Sequence, residues 1–75
     1  MNANILRGKI AEHRLTLEKV ARVLDVSPNT LHRRMESGIW KNDEIMVLAK
    51  LLSLTEMDVL EIFFDEFVTK MDTAR

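Results

Sequence analysis

Two side chains in the stretch PNTLHRR, residues 28–34, have the types and spacing to form hydrogen bonds with the edges of nucleic-acid bases. Asn29 carries an amide and Arg33 a guanidinium, and the two residues are four positions apart. On a helix, residues at i and i+4 lie on one face. An amide can bond adenine N6 and N7 together, and a guanidinium can bond guanine O6 and N7. Each such pair contributes about 1–3 kcal/mol of discrimination between bases. The spacing therefore predicts a base-reading surface.

Polar and basic residues surround this pair, and we expect them to contact phosphates or the outer base edges. Arg34 lies nearer the inner edge of the helix, so its stem can pack while its head group reaches solvent or phosphate. Thr16 and Ser27 begin helices, where backbone amides commonly bind phosphates. The complete flanking set is Thr16, Lys19, Ser27, Thr30, His32 and Arg34. The alternative interpretation is an exposed helix whose Asn and Arg side chains are only hydrated.

The stretch from Thr16 to Glu36 predicts the two helices that would position these side chains. Thr16 is a favourable N-cap, and apolar residues then recur at helical spacing up to Leu24. Asp25 and Val26 interrupt the pattern, and Ser27 caps a second helix. Pro28 suits the first position of that helix, where no backbone N–H is needed. Two short helices joined by a tight turn form the frame of a DNA-binding helix-turn-helix.

The rest of the chain predicts three more helices and no strand. Residues 4–13 form the first, Asn42 caps the fourth, and Thr55 caps the fifth in a box with Asp58. Gly38 is a natural left-handed residue after the third helix. The fold class is therefore all-α with five helices. We expect one domain over residues 1–75, with a core at about residues 4–64 and an extension or tail at residues 65–75.

The charge distribution is uneven although the net charge is only −1. Residues 1–41 hold eight Lys and Arg against four Asp and Glu, a balance of +4. Residues 42–75 hold three bases against eight acids, a balance of −5. The basic half contains the two-helix motif, as phosphate binding requires. Charged residues that only solvate helix surfaces are the competing explanation.

Several other classes of function find no support in the sequence. There is no Cys, and the two histidines, His13 and His32, lack the spacing of a metal site or a catalytic set. We expect no metal, no cofactor, no small-molecule ligand and no enzymatic activity. No apolar run approaches the about 18 residues of a membrane span. The sequence thus predicts a soluble, cytoplasmic protein.

The segment LRGKIAEHRLTLEKVARVLDVSPNTLHRRMESG resembles the Cro/C1-type helix-turn-helix domain of phage and prophage repressors. The following WKNDEIMVLAKLLSLTEMDVLEIFF is similar to the end of small prophage repressor domains, so the resemblance covers roughly residues 5–64. It implies a five-helix domain of lambda-repressor-like type that binds an operator as a dimer and controls transcription. It also implies that the third helix enters the major groove with Pro28, Asn29 and Arg33 facing the bases.

Two positions depart from the family pattern. The second helix usually begins with a Gln that braces a phosphate and a recognition-helix side chain, but this chain has Leu17. The turn usually holds Gly, and this chain has Asp25, a residue that tolerates a left-handed conformation better than most. We expect the turn to form and one phosphate contact to be lost.

Apolar residues continue past the expected end of the core, which predicts a partner surface. We expect a homodimer that assembles through the fifth helix and residues 65–71. The interface residues would be Phe63, Phe64, Phe67, Val68 and Met71. The alternative is that the tail covers the protein's own core, since small domains need every apolar residue.

The sequence thus predicts a phage- or prophage-type transcriptional regulator, most simply a repressor, that binds a pseudo-palindromic double-stranded DNA operator. The alternative function is a protein-interaction module, such as an antitoxin or antirepressor, that keeps the fold and binds a protein through its acidic half.

Overall fold

Five α-helices joined by short connections make up the part of the chain that the structure, a computed structural model, describes, namely residues 1–66. They are α1 (Ala3–Glu12), α2 (Leu17–Leu24), α3 (Pro28–Ser37), α4 (Asn42–Leu51) and α5 (Glu56–Phe63). Within these residues there is no β-strand. The predicted all-α, five-helix fold is confirmed.

Short polar side chains begin three of the helices at the predicted positions. Each side-chain oxygen accepts the backbone N–H three residues further on, and so satisfies one of the free donors of the first turn. The caps are Thr16, Ser27 and Thr55. At the start of α5, Asp58 Oδ2 also accepts the Thr55 N–H at 3.0 Å, which completes the predicted capping box.

The predicted cap of the fourth helix is wrong by one residue. Asn42 is the first helical residue of α4, and Lys41 is the residue before it. Glu44, at the third helical position, accepts the backbone N–H of Lys41 through Oε1 at 2.9 Å. The side-chain hydrogen bond at this helix start therefore comes from a carboxylate inside the helix, and it satisfies the N–H of Lys41 rather than a donor of the first turn.

Two left-handed residues produce the turns on either side of α3. Asp25 follows α2 with φ 59° and ψ 43°, and Gly38 follows α3 with φ 73°. A Cβ on Gly38 would lie 3.0 Å from the Cβ of Met1, so both conformation and space favour glycine there. Both turns occur where the sequence predicted helix ends.

The core is formed by apolar residues from all five helices. The buried members are Leu6, Ile10, Val20, Ala21, Leu31, Met35, Leu48, Leu52, Ile62 and Phe63. Helix α2 packs on α3 and α4, and α1 packs on α5. Trp40 is half-buried and meets Phe63 edge to face, with ring centroids 5.5 Å apart, so it packs on the core.

The amino-terminal residues close the fold against the end of α5. The backbone N–H of Asn2 donates to the carbonyl of Ile62 at 2.7 Å, and the Met1 amino group lies 2.7 Å from Asp65 Oδ1. Trp40 Nε1 lies 3.1 Å from the Met1 sulfur. We call this group of contacts, made by Met1 and Asn2 with Trp40, Ile62 and Asp65, the terminal clasp.

The fifth helix is interrupted at Phe64, and the expected extension beyond residue 66 lies outside the described residues. Helix α5 ends at Phe63, and Phe64 leaves helical geometry with φ −128° and ψ 38°. Residues 65 and 66 have helical backbone again. The break at Phe64 thus separates α5 from residues 65 and 66 within the described part of the chain.

Candidate nucleic-acid interface

Helix α3 is oriented by two apolar side chains on its inner face. Leu31 and Met35 are buried, with exposed fractions of 1% and 5%. Asn29 and Arg33 project from the opposite side and are exposed, as the spacing predicted. Pro28 is also exposed at the start of this helix. The three predicted base-facing residues therefore share an open surface.

Arg33 is an unpaired cation within the part of the chain that the structure describes. Its neighbours in sequence and space differ, because Arg34 pairs with Glu44 and Arg22 pairs with Glu18 across one helical turn. An arginine without an acidic partner keeps its fork of donors for an external acceptor. Arg33 thus keeps all of its guanidinium donors available to a ligand.

The start of α3 holds two hydroxyls that bond each other. Ser27 Oγ accepts the Thr30 N–H at 3.1 Å and donates to Thr30 Oγ1 at 2.9 Å. Because Thr30 Oγ1 accepts, its own hydrogen remains free to donate outward. This arrangement suits an anionic oxygen near the positive end of α3.

The start of α2 presents a second polar edge. Thr16 Oγ1 accepts the Lys19 N–H at 3.1 Å, and both residues are exposed. Lys19 forms no ion pair within residues 1–66, whereas Arg22 lies 3.7 Å from Glu18. Lys19 is therefore better placed than Arg22 to meet a phosphate.

Arg34 does not have the free head group that we expected. Its Nε donates to Glu44 Oε1 at 2.9 Å, and only 25% of its side chain is exposed. Glu44 itself is buried, with 6% exposed. The Nε edge of the guanidinium is thus committed to α4, and contact of the rest of the head group with solvent or phosphate stays a prediction.

Glu44 is the residue that the sequence reasoning missed. Its Oε1 accepts from both Lys41 N and Arg34 Nε at 2.9 Å. Burial raises its pKa, and the hydrogen bonds from Lys41 and Arg34 with their positive charges outweigh that effect, so the pKa is lowered overall. The signal was present, since Glu three residues after a helix N-cap is half of a capping box.

The remaining predicted surface residues fall into three groups. His32 is exposed on α3 beside Arg33, as expected. Phe63 belongs to the core, where it packs on Trp40, and Phe64 is 47% exposed. The other expected dimer residues, Phe67, Val68 and Met71, lie outside the described residues. Among the expected dimer residues that the structure describes, Phe64 is thus exposed and Phe63 is buried.

Neither histidine belongs to a metal-binding cluster in the described part of the chain, where no group of three or more His, Cys, Asp and Glu could hold an ion. His13 Nδ1 lies 2.9 Å from the Lys9 carbonyl, which accounts for one ring nitrogen. No helix among residues 1–66 is both long and apolar enough to cross a membrane.

Comparisons with protein-family models, with curated proteins and with solved structures found no match for this chain. The relation to Cro/C1-type domains therefore stays a hypothesis based on the sequence.

Proposed function

We propose that this protein binds double-stranded DNA in a sequence-specific manner by placing α3 in the major groove, and that it acts as a transcriptional regulator of the phage or prophage repressor type. This role needs no cofactor and no catalytic group. It also implies a cytoplasmic location, where an operator is accessible.

The observation that carries the proposal is the outer face of α3. Asn29 and Arg33 are exposed one helical turn apart, opposite the buried Leu31 and Met35. An amide and a free guanidinium on one helical face match the donors and acceptors of adjacent purines in the major groove. The capped starts of α2 and α3 supply neighbouring donors for phosphates.

A homodimer fits this mode of binding. Two domains related by a two-fold axis would place their α3 helices in successive major grooves, about 34 Å apart, over a pseudo-palindromic site. Repression by occupancy is the simplest regulatory outcome of such a complex.

The test is in vitro selection of bound duplexes from a random library with the full chain. We expect enrichment of an inverted repeat whose half-sites are about one helical turn apart. Affinity for the selected duplex should fall steeply with salt, because bound phosphates release counterions. A library that shows no enrichment after repeated rounds would refute sequence-specific binding.

Arg33→Ala should reduce affinity for the selected duplex by about 5- to 150-fold, the equivalent of about 1–3 kcal/mol, and should relax preference at one base pair of each half-site. The reason is the loss of a bidentate contact with guanine. Gel shifts with duplexes substituted at each position measure both effects.

Lys19→Ala is the matched control, because it removes the same charge from α2. It should weaken binding to all duplexes alike and reduce the salt slope by about one charge. Unaltered base preference in the Arg33 variant would contradict the role of that residue.

A protein-interaction module is the second candidate. It is favoured by exposed apolar side chains in the acidic half, where Met46 and Met57 are 63% and 57% exposed. Methionine-rich surfaces suit the binding of protein partners. Binding of a protein at high salt, together with no enrichment of any DNA sequence, would support this function instead.

A further inference from the structure

We infer that Glu44 is a positioning residue for DNA recognition: through Arg34 it sets the rotation of α3, and so the aim of Arg33 and Asn29. The inference rests on the proposed function. It concerns a residue that lies on a different helix from the candidate reading surface.

One carboxylate oxygen connects two elements. Glu44 Oε1 accepts from Arg34 Nε on α3 and from the Lys41 N–H at the start of α4, both at 2.9 Å. The Glu44 N–H lies 3.0 Å from Asp43 Oδ1, which further fixes the first turn of α4. The carboxylate therefore ties the last turn of α3 to a rigid helix start.

Among the described hydrogen bonds, the one between Arg34 and Glu44 is the only polar contact between α3 and α4. Leu31 and Met35 hold the inner face of α3 by apolar packing, which is not directional. A charge-assisted bond to Nε is directional, because the guanidinium is planar. Buried ion pairs are weak sources of stability, and conformational specificity is the role attributed to them in some proteins.

The geometry makes α3 sensitive to this bond. Arg33 and Arg34 are adjacent, so a rotation that displaces one displaces the other. The outer surface of a helix lies about 5–6 Å from its axis, and a rotation of about 20° moves an atom there by about 2 Å. Displacement on that scale breaks a bidentate contact with a base, which needs about 0.5 Å placement.

Glu44→Gln is the test variant, since it keeps the size of the side chain and removes its charge. Asp43→Asn is the matched control, because it makes the same charge change one residue earlier at an exposed position and keeps an Oδ1 that can accept the Glu44 N–H. Both variants should bind unselected DNA as tightly as the wild type or more tightly, since each removes a negative charge. The positioning role predicts that Glu44→Gln alone loses at least five-fold affinity for the duplex selected by the wild type.

Circular dichroism at 10 °C confirms that each variant is folded before binding is measured. A role in stability alone would leave the ratio of selected to unselected affinity unchanged in the folded protein. Equal ratios for Glu44→Gln and Asp43→Asn would therefore overturn the inference.

Arg34→Gln separates positioning from direct contact. If Arg34 acts through Glu44, the salt slope stays at the wild-type value, and the double variant with Glu44→Gln loses no more selectivity than either single variant. If Arg34 instead binds a phosphate, the slope falls by about 0.9 and the losses add, which would overturn the inference. If the wild type still enriches a DNA sequence in the selection, the proposed function stands even when the inference about Glu44 fails. If the wild type enriches no sequence, both the proposed function and the inference are refuted.

Discussion

Asp25 shows how a residue other than glycine can form the left-handed turn between α2 and α3. It adopts φ 59° and ψ 43° at the end of α2, and its backbone N–H donates to the carbonyl of Arg22 at 3.1 Å. The left-handed conformation costs most L-residues about 1–2 kcal/mol, and Asp and Asn less. The expectation that the turn forms without glycine is confirmed.

Asp25→Gly should therefore leave the free energy of unfolding unchanged or raise it by up to about 1 kcal/mol, whereas Asp25→Ala should be less stable than the Gly variant by about 1 kcal/mol. Urea unfolding of the two variants measures the difference. Asp25→Asn controls for the lost charge and should remain close to the wild type. An Ala variant as stable as the Gly variant would show that the left-handed geometry is not strained.

Leu17 marks the second departure, and here the side chain has a structural role. It is half-buried and packs against the core. An apolar side chain in that position cannot brace a phosphate, so the absence of such a contact from Leu17 stays a prediction of the proposed mode of DNA binding.

At the scale of elements, helix existence followed from caps and apolar spacing. Thr16, Ser27 and Thr55 begin their helices where the sequence placed them. The error at Asn42 had a physical cause, because a cap-forming residue type and a carboxylate two positions later both satisfied the pattern. The end of α5 was not predictable from spacing, since the apolar residues continue while the backbone turns at Phe64.

Carboxylates at the helix starts should make stability depend on pH. Hydrogen bonds from Thr55 lower the pKa of Asp58 against the opposing effect of burial, and the pKa of Glu44 is lowered as well. A folded-state pKa below the unfolded value adds stability above the unfolded pKa, and this stability is lost as pH falls through the folded pKa. Unfolding free energy should thus decline below about pH 4.5, the ordinary value for Glu44.

The measurement is urea unfolding of the wild type, Glu44→Gln and Asp58→Asn at pH 7, 4 and 3. Each variant should be less stable than the wild type at pH 7 and should lose less on acidification. Variants that decline in parallel with the wild type would assign the acid sensitivity to other groups.

At the scale of the whole molecule, the exposed Phe64 is the described feature that bears on assembly into a homodimer. Phe64 is 47% exposed beside Met1, Gly38 and Glu66, which line a shallow groove with it. Removing a phenyl ring from a dimer contact should weaken association by more than tenfold, as aromatic anchors usually do. We predict that the wild type is a dimer at tens of micromolar and that Phe64→Ser is a monomer at the same concentration.

Multi-angle light scattering of the full chain gives the masses directly. Met46→Ser is the matched control, because Met46 is also exposed, at 63%, and lies on α4 rather than on the fifth helix. It should dimerise like the wild type. A wild-type protein that is strictly monomeric at that concentration would exclude a stable homodimer.

The part of the candidate site that lies within one helix could be predicted from the sequence, whereas the contacts between helices could not. The outer face of α3 depends on local spacing, which a sequence displays directly, so Asn29 and Arg33 were placed correctly on the exposed side. Whether Arg34 is free or paired depends on Glu44, which is ten residues away on another helix. The spacing of residues within one helix does not reveal such a contact. The availability of each cation is a property of tertiary contacts.

The terminal clasp has a consequence for the order of folding. The bond from Asn2 to Ile62 joins residues 60 positions apart, whereas α2, α3 and their turn involve close neighbours in sequence. Closing a long loop costs entropy that local contacts do not require. The helix-turn-helix can therefore form early, and the clasp can close only when α1 and α5 have docked. Thermal opening would run in reverse, with the ends of the described chain separating while α2 and α3 are still packed together.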